Sequence, residues 1–224
     1  MRVAIVQPPY LPWLGYFDML RKVDRMIFLD TVRVNLRSFQ RRNRIRTPTG
    51  WTWLTLPVLK QEGKSPIFRT ARVNDSIAWR EKHWRAIESS YGGSPHFKEH
   101  RDFFERFYRE IPASLLDINV TLIEYLAKQF RVGTKTGYAS ELEPKGTKTA
   151  LLVDICKKIG ASTYISGPTA KAYLKPELFE QERIAVEFHE YAHPVYTQRF
   201  PGFIPRMSSI DLLFNIGAAA GEII

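Results

Sequence analysis

The sequence predicts an α/β protein, a three-layer, Rossmann-like and mostly parallel sheet, and three observations carry that prediction. Residues 3–6 (Val-Ala-Ile-Val) form a short, continuous apolar run that stops at Gln7-Pro8-Pro9, as a strand covered on both faces does. Leu14, Phe17, Met19, Leu20 and Val23 then recur at helical spacing, and residues 25–30 read as a second strand, so the opening of the chain is one βαβ unit. Further along, a helix after Thr147 and a strand over residues 163–166 that stops at Gly167-Pro168 repeat the same logic.

Between these segments the reading is mixed. Residues 51–58 alternate bulky apolar residues with threonines, and residues 67–73 are strand-like, so both are expected as edge or additional strands. Ser76 is placed to cap a helix through Trp79, His83, Trp84 and Ile87, which Gly92-Gly93 closes. Helices over about 97–108 and 119–130 follow, making residues 76–132 a helix-rich stretch inside a single domain of 224 residues. Residues 134–146, rich in Gly, Thr, Glu and Lys and without apolar periodicity, read as a surface loop. Gly160 is the expected left-handed terminator of the helix after Thr147, residues 185–191 the last strand, and residues 210–214 the start of a terminal helix.

Composition narrows the function classes. No run approaches the roughly 20 apolar residues that cross a bilayer, and the first turn comes too early for a secretion signal. The lone cysteine, Cys156, has no disulfide partner within the chain and sits among apolar residues, so the cytoplasm is the expected compartment. The formal charge of +10 favours phosphate-bearing partners, and residues 33–46 concentrate it in Arg33, Arg37, Arg41, Arg42, Arg44 and Arg46. A guanidinium fork suits phosphate. The run reads equally as a solvated basic loop. A tRNA would fit the charge but is not favoured, because no helix-turn-helix, zinc-finger or RRM signature accompanies it. Walker, Gly-x-Ser-x-Gly and Gly-x-Gly-x-x-Gly loops are absent, as are His-x-x-x-His and Cys-x-x-Cys spacings, so no metal is expected.

Three constellations could carry chemistry. In the first, after the opening strand, Gln7, Tyr10, Trp13 and Tyr16 offer an amide and flat stacking faces, Gly15 lets a ligand approach backbone, and three prolines stiffen the loop. In the second, Ser166 is a nucleophile or hydrogen-bond donor, Gly167 permits close approach, Lys171 neutralises an anion, and Tyr173 lies beside them. In the third, His193 before Pro194 is the preferred general acid or base, with Tyr196 and Gln198 following, and Asp30 could bind ribose or orient His193.

These blocks resemble a known family. Gln7-Pro-Pro-Tyr-Leu-Pro-Trp-Leu-Gly-Tyr-Phe-Asp18, Arg42-Asn43-Arg44 with Thr47-Pro-Thr-Gly50, Tyr164-Ile-Ser-Gly-Pro168 with Ala170-Lys171 and Tyr173, and His193-Pro-Val-Tyr196-Thr-Gln198 with Ser209-Ile-Asp-Leu-Leu-Phe-Asn215 are similar to the WbqC-like family in order along the chain. The resemblance implies a link to bacterial surface-polysaccharide and unusual-sugar synthesis, some members being described as glycyl or acyl transferases. A weaker resemblance joins Trp13-Leu-Gly-Tyr16 to the His-x-Gly-His opening of the nucleotidyltransferase and class I synthetase superfamily. Here aromatics replace both histidines, so adenylyl transfer is not expected.

The expected function is therefore an acyl or aminoacyl transferase, using acyl-CoA or an aminoacyl donor and acting on an amine or hydroxyl of a phosphate-bearing substrate such as a nucleotide-linked amino sugar. Arg42 and Arg44 would hold the phosphate, with Asn43 between them as a further substrate-binding residue, His193 would act as base, and Ser166 or Gln7 would stabilise the oxyanion. An ATP-using ligase or nucleotidyltransferase-like enzyme, and an RNA-binding protein, are the competing readings.

Overall fold

The computed structural model describes residues 1–224. In chain order its elements are β1 (Arg2–Val6), α1 (Leu14–Arg21), β2 (Arg25–Phe28), β3 (Arg42–Thr47), β4 (Gly50–Thr55), α2 (Trp79–Tyr91), α3 (Phe97–Glu110), α4 (Leu115–Gln129), β5 (Lys135–Tyr138), α5 (Lys148–Lys158), β6 (Thr163–Ser166), α6 (Pro176–Glu180), β7 (Ala185–Phe188), α7 (Ile210–Ile216) and α8 (Ala220–Ile223). The chain divides into two compact units. The first is Met1–Gln7, Asp18–Val32 and Gly133–Ala192; the second is Pro8–Phe17, Arg33–Val132 and His193–Ile224.

The first unit holds a five-stranded sheet in the order β5-β2-β1-β6-β7, and every neighbouring pair is parallel. This is the Rossmann-like α/β arrangement. Side chains alternate across each strand, so Val3, Ile5, Ile27 and Tyr164 share one face and pack with Leu151, Ile155 and Cys156 of α5 and Phe179 of α6. Each such apolar side chain taken from water stabilises by about 1.5–3 kcal/mol. Tyr164 lies flat on Phe179, ring centres 5.0 Å apart. Burial pushes the Cys156 thiol up to about 12, which keeps it protonated and unreactive at neutral pH. α5 ends as expected: Gly160 takes φ +67°, and Ala161 N–H reaches back to the Cys156 carbonyl at 2.9 Å. Thr147 occupies the N-cap position of α5, but its side chain makes no capping bond.

The second unit holds the expected helix-rich stretch as α2, α3 and α4, together with the antiparallel pair β3–β4. Phe214 of α7 is the hub of its aromatic core, with Tyr91, Phe97 and Phe104 at centroid distances of 5.1, 5.2 and 5.3 Å. Ser114 caps α4 by accepting from Asp117 N–H.

Four local expectations are corrected. Residues 134–146 are not a plain loop: they form β5, an edge strand paired with β2, and a 3-10 turn over Ala139–Leu142. An edge strand needs little apolar patterning, because only one neighbour pairs with it. Residues 67–73 are a 3-10 turn, Phe68–Thr70, flanked by isolated bridges. Ser76 does not cap α2. Its hydroxyl donates to Asn74, Ala78 is the N-cap, and Trp79 Nε1 donates to Asp75. The arginine segment ends in a strand, since β3 hides a pattern in which Asn43 and Ile45 are buried at alternate positions.

Candidate functional site

In the first unit the strand order reverses at β1, with β2 on one side and β6 on the other. Open parallel sheets bind ligands outside the carboxyl ends of the strands at such a switch point. Two expected residues flank it: Gln7 directly follows β1, and Ser166 ends β6. Because β6 and β7 are also parallel, the residue after β7 arrives on the same rim, and His189 N–H donates to the Ser166 carbonyl at 2.8 Å.

His189 brings a second group with it. Its Nε2 donates to Asp18 Oδ2 at 2.5 Å, and the same oxygen accepts from Lys22 Nζ at 2.7 Å one helical turn on. Asp18 and His189 are 8% and 6% exposed, so the pair is largely shielded from solvent screening. Tyr191 stacks against the imidazole at 6.2 Å, and burial raises its phenol. A carboxylate on one ring nitrogen fixes the tautomer and leaves Nδ1 as the proton acceptor. Asp18 and His189 were not among the residues expected to act.

Ser166 is 4% exposed, and its hydroxyl donates to Tyr164 Oη at 3.3 Å. Strand alternation puts it on the α5–α6 face, whereas His189, one residue past Phe188, turns to the other. The imidazole therefore does not activate that hydroxyl. Gly167 has φ −67°, and a Cβ there would meet open space. Lys171 lies 5.2 Å over the Phe188 ring, and Tyr173 is exposed. Asp30, almost fully buried, accepts from Ser140 N–H at 2.9 Å and Ser140 Oγ at 2.6 Å, so it ties β2 to the turn after β5.

The second unit gathers the remaining expected residues. Asn43 Nδ2 donates to the carbonyls of Leu11 at 2.5 Å and Tyr10 at 3.4 Å, clamping the proline-rich turn from β3. Leu11, fully buried, is held at φ +45°, a left-handed conformation costing about 1 kcal/mol or more. Tyr10 is fully buried, with Oη 2.8 Å from His83 Nδ1 and 2.6 Å from Tyr108 Oη. Burial lowers His83 to about 4 and raises Tyr10. Tyr16 is also buried, its Oη without a hydrogen bond, and burial raises it.

Trp13, His193 and Tyr196 form a stack, with the imidazole 6.4 Å from the indole and 6.3 Å from the phenol. A Cβ on Gly15 would come within 2.5 Å of the Trp13 ring, so glycine here makes room for the indole. His193 Nδ1 donates to the Pro194 carbonyl at 2.8 Å, and Nε2 accepts from Arg206 N–H at 3.1 Å. Its pKa is lowered, first by burial and further by the Arg206 charge. A proton-transfer role for His193 thus requires one backbone bond to open. Tyr196 Oη and Gln198 Nε2 both donate to buried Asp211 at 2.8 Å, and burial holds that carboxyl above its usual range. Arg42 and Arg44 remain partly exposed on β3. No three side chains among His, Cys, Asp and Glu converge as a metal-ion site, and no helix is long and apolar enough to cross a membrane.

The fold and the rim at the β1–β6 switch define a Rossmann-like α/β protein with a carboxylate–imidazole pair at the carboxyl edge of its sheet. The WbqC-like family model matches residues 7–223, and the chain belongs to the WbqC-like protein family. It is 34% identical over 223 residues, 99% of this chain and 96% of the other, to the Mycobacterium tuberculosis (strain ATCC 25618 / H37Rv) protein named "Uncharacterized protein Rv1507c". No solved structure matches the chain.

Proposed function

We propose that the chain is a group transferase that moves an acyl or aminoacyl group, glycyl included, onto an amine or hydroxyl of a phosphate-bearing substrate such as a nucleotide-linked amino sugar. The observation that carries this reading is the Asp18–His189 pair at 2.5 Å, on the carboxyl rim of the parallel sheet. Acyl transfer needs a base at the attacking atom and a donor for the oxyanion. His189 Nδ1 takes the proton of the attacking amine or hydroxyl as the new C–N or C–O bond forms. Gln7 supplies an amide donor to the carbonyl oxygen. The donor's thiol or hydroxyl then leaves with a proton returned from His189.

The other expected residues take supporting parts. In the first unit Lys171 neutralises an anionic group, while Ser166 shapes the rim through its backbone and is not the nucleophile. The second unit, taken by itself, offers the Arg42 and Arg44 guanidinium forks to phosphate, and its Asn43 sets the turn that carries Tyr10. His193 there acts as a ring in a stack rather than as the base.

The test is a turnover screen of acyl-CoA and aminoacyl donors against nucleotide sugars, run beside His189→Gln. Transfer that falls by about 10²–10⁴-fold in the variant supports the reading. Absence of turnover with every donor, or turnover untouched by His189→Gln, would overturn it.

A further inference from the structure

Residues 31–61 contain no Asp or Glu and six arginines. The β3–β4 hairpin turns part of that charge to one face: Arg44 pairs with Trp53 and Arg46 with Trp51, so Arg42, Arg44, Arg46, Trp51 and Trp53 alternate with the inward Asn43, Ile45 and Leu54. Arg46 is spent internally on the carbonyls of Thr47, Gly50, Pro201 and Gly202. The others are not. The Arg42 guanidinium lies 4.5 Å over the Trp53 ring, and that of Arg44 lies 5.1 Å over Trp51. Phe39, 6.1 Å from Trp53, extends the row. Phe39 and Trp51 are 50% and 43% exposed, values unusual for large aromatics unless something covers them.

No carboxylate in the chain pairs with Arg37, Arg41, Arg42, Arg44 or Arg206. Like charges gathered without a counter-ion repel, and the Arg44 guanidinium is destabilised chiefly by burial and further by the Arg206 charge. A small phosphate ester would neutralise one or two of them. A chain of phosphates neutralises the row, and alternate residues of a strand, about 6.6 Å apart, are spaced much as successive phosphates of an extended strand. The aromatics then offer flat faces for unstacked bases, whereas a duplex would hide its bases from them.

We propose that the outer face of the β3–β4 hairpin, with Phe39, Arg42, Arg44, Trp51 and Trp53, docks single-stranded nucleic acid. The proposal builds on Arg42 and Arg44 as phosphate contacts. Its test reads binding and not turnover, so it and the transferase reading can fail separately.

Anisotropy of labelled oligouridylate is measured with the full chain between about 50 and 200 mM salt. Binding that quenches tryptophan emission and weakens steeply with salt is expected. Trp51→Ala should weaken it about fivefold or more, and Arg42→Gln with Arg44→Gln should flatten the salt slope by about two contacts. Arg109→Gln, on α3, should change little. Trp51→Phe, which keeps a stacking face, should restore most of the binding and guards against a misfolded alanine variant. No binding at low salt, an equal loss with Arg109→Gln, or equal competition by duplex, heparin or anionic vesicles would overturn the proposal in favour of a generic cationic surface.

Discussion

His189 Nε2 lies 2.5 Å from Asp18 Oδ2, joining a residue just past the last strand of the sheet to one on the first helix, 171 positions earlier. An ionised carboxylate can only accept, so it dictates which imidazole nitrogen carries the proton. Asp18→Asn offers an amide that can donate instead, and the ring is free to take the other tautomer. Transferase kcat should drop about 10²-fold or more with KM little changed, and nitrogen NMR should show the His189 proton leaving Nε2. A variant with the wild-type tautomer and rate would remove Asp18 from the mechanism.

Asn43 has a different task, and its substitution should register as stability. Its amide nitrogen donates to two carbonyls of the proline-rich turn, while Oδ1 accepts from Arg44 N–H at 2.8 Å. Asn43→Asp puts a carboxylate oxygen 2.5 Å from the Leu11 carbonyl, repulsive where the amide was attractive. A loss of about 2 kcal/mol or more is expected from urea unfolding, since Asn43 is 1% exposed and little water reaches it. A change under half that size would mean the turn stands without its clamp.

The fold was legible where burial writes itself into composition. β1 is covered on both faces and reads as an unbroken apolar run, and α5 declares its end with Gly160. β5 was not, because Lys135, Thr136 and Gly137 carry no apolar signal and their strand identity comes only from pairing with Arg25, Met26 and Ile27. β3 was masked by its arginines, although the buried Asn43 and Ile45 sat at the alternate positions a strand requires. The site was half legible. Gln7 and Ser166 could be placed at strand ends, but the Asp18–His189 contact is a product of topology. Its one local trace is an aspartate one residue after Phe17, inside the apolar stripe of α1. What marks His193 in the sequence is its proline neighbour, which restricts backbone and says nothing of what the ring nitrogens meet.

Gly15→Ala separates helix propensity from packing. In an exposed helix this change stabilises by about 1 kcal/mol. Here the new methyl would stand 2.5 Å from the Trp13 ring, which must swing out of its stack on His193. Overpacking costs about 1–3 kcal/mol, so the net effect should be destabilising and Tm should fall by about 2–4 °C. A raised Tm would show that the indole moves at no cost.

The second unit should also be sensitive to acid, with His83 as the main cause. Burial holds its imidazole at about 4 against an ordinary 6.5, so between those values the unfolded chain binds a proton that the folded chain refuses. Stability therefore rises with pH across this window and is lost as pH falls from about 6.5 toward 4; between pH 7 and pH 5 the His83 share is about 2 kcal/mol. His100 and His193, also lowered chiefly by burial, act with the same sign. Asp211 opposes them, because a carboxyl held above its usual range favours the folded state on acidification. His83→Gln keeps a polar partner for Tyr10 and removes the titration. The difference in urea stability between pH 7 and pH 5 should shrink by about that amount, whatever the variant does to stability at pH 7. An undiminished difference would shift the acid sensitivity to the other buried groups.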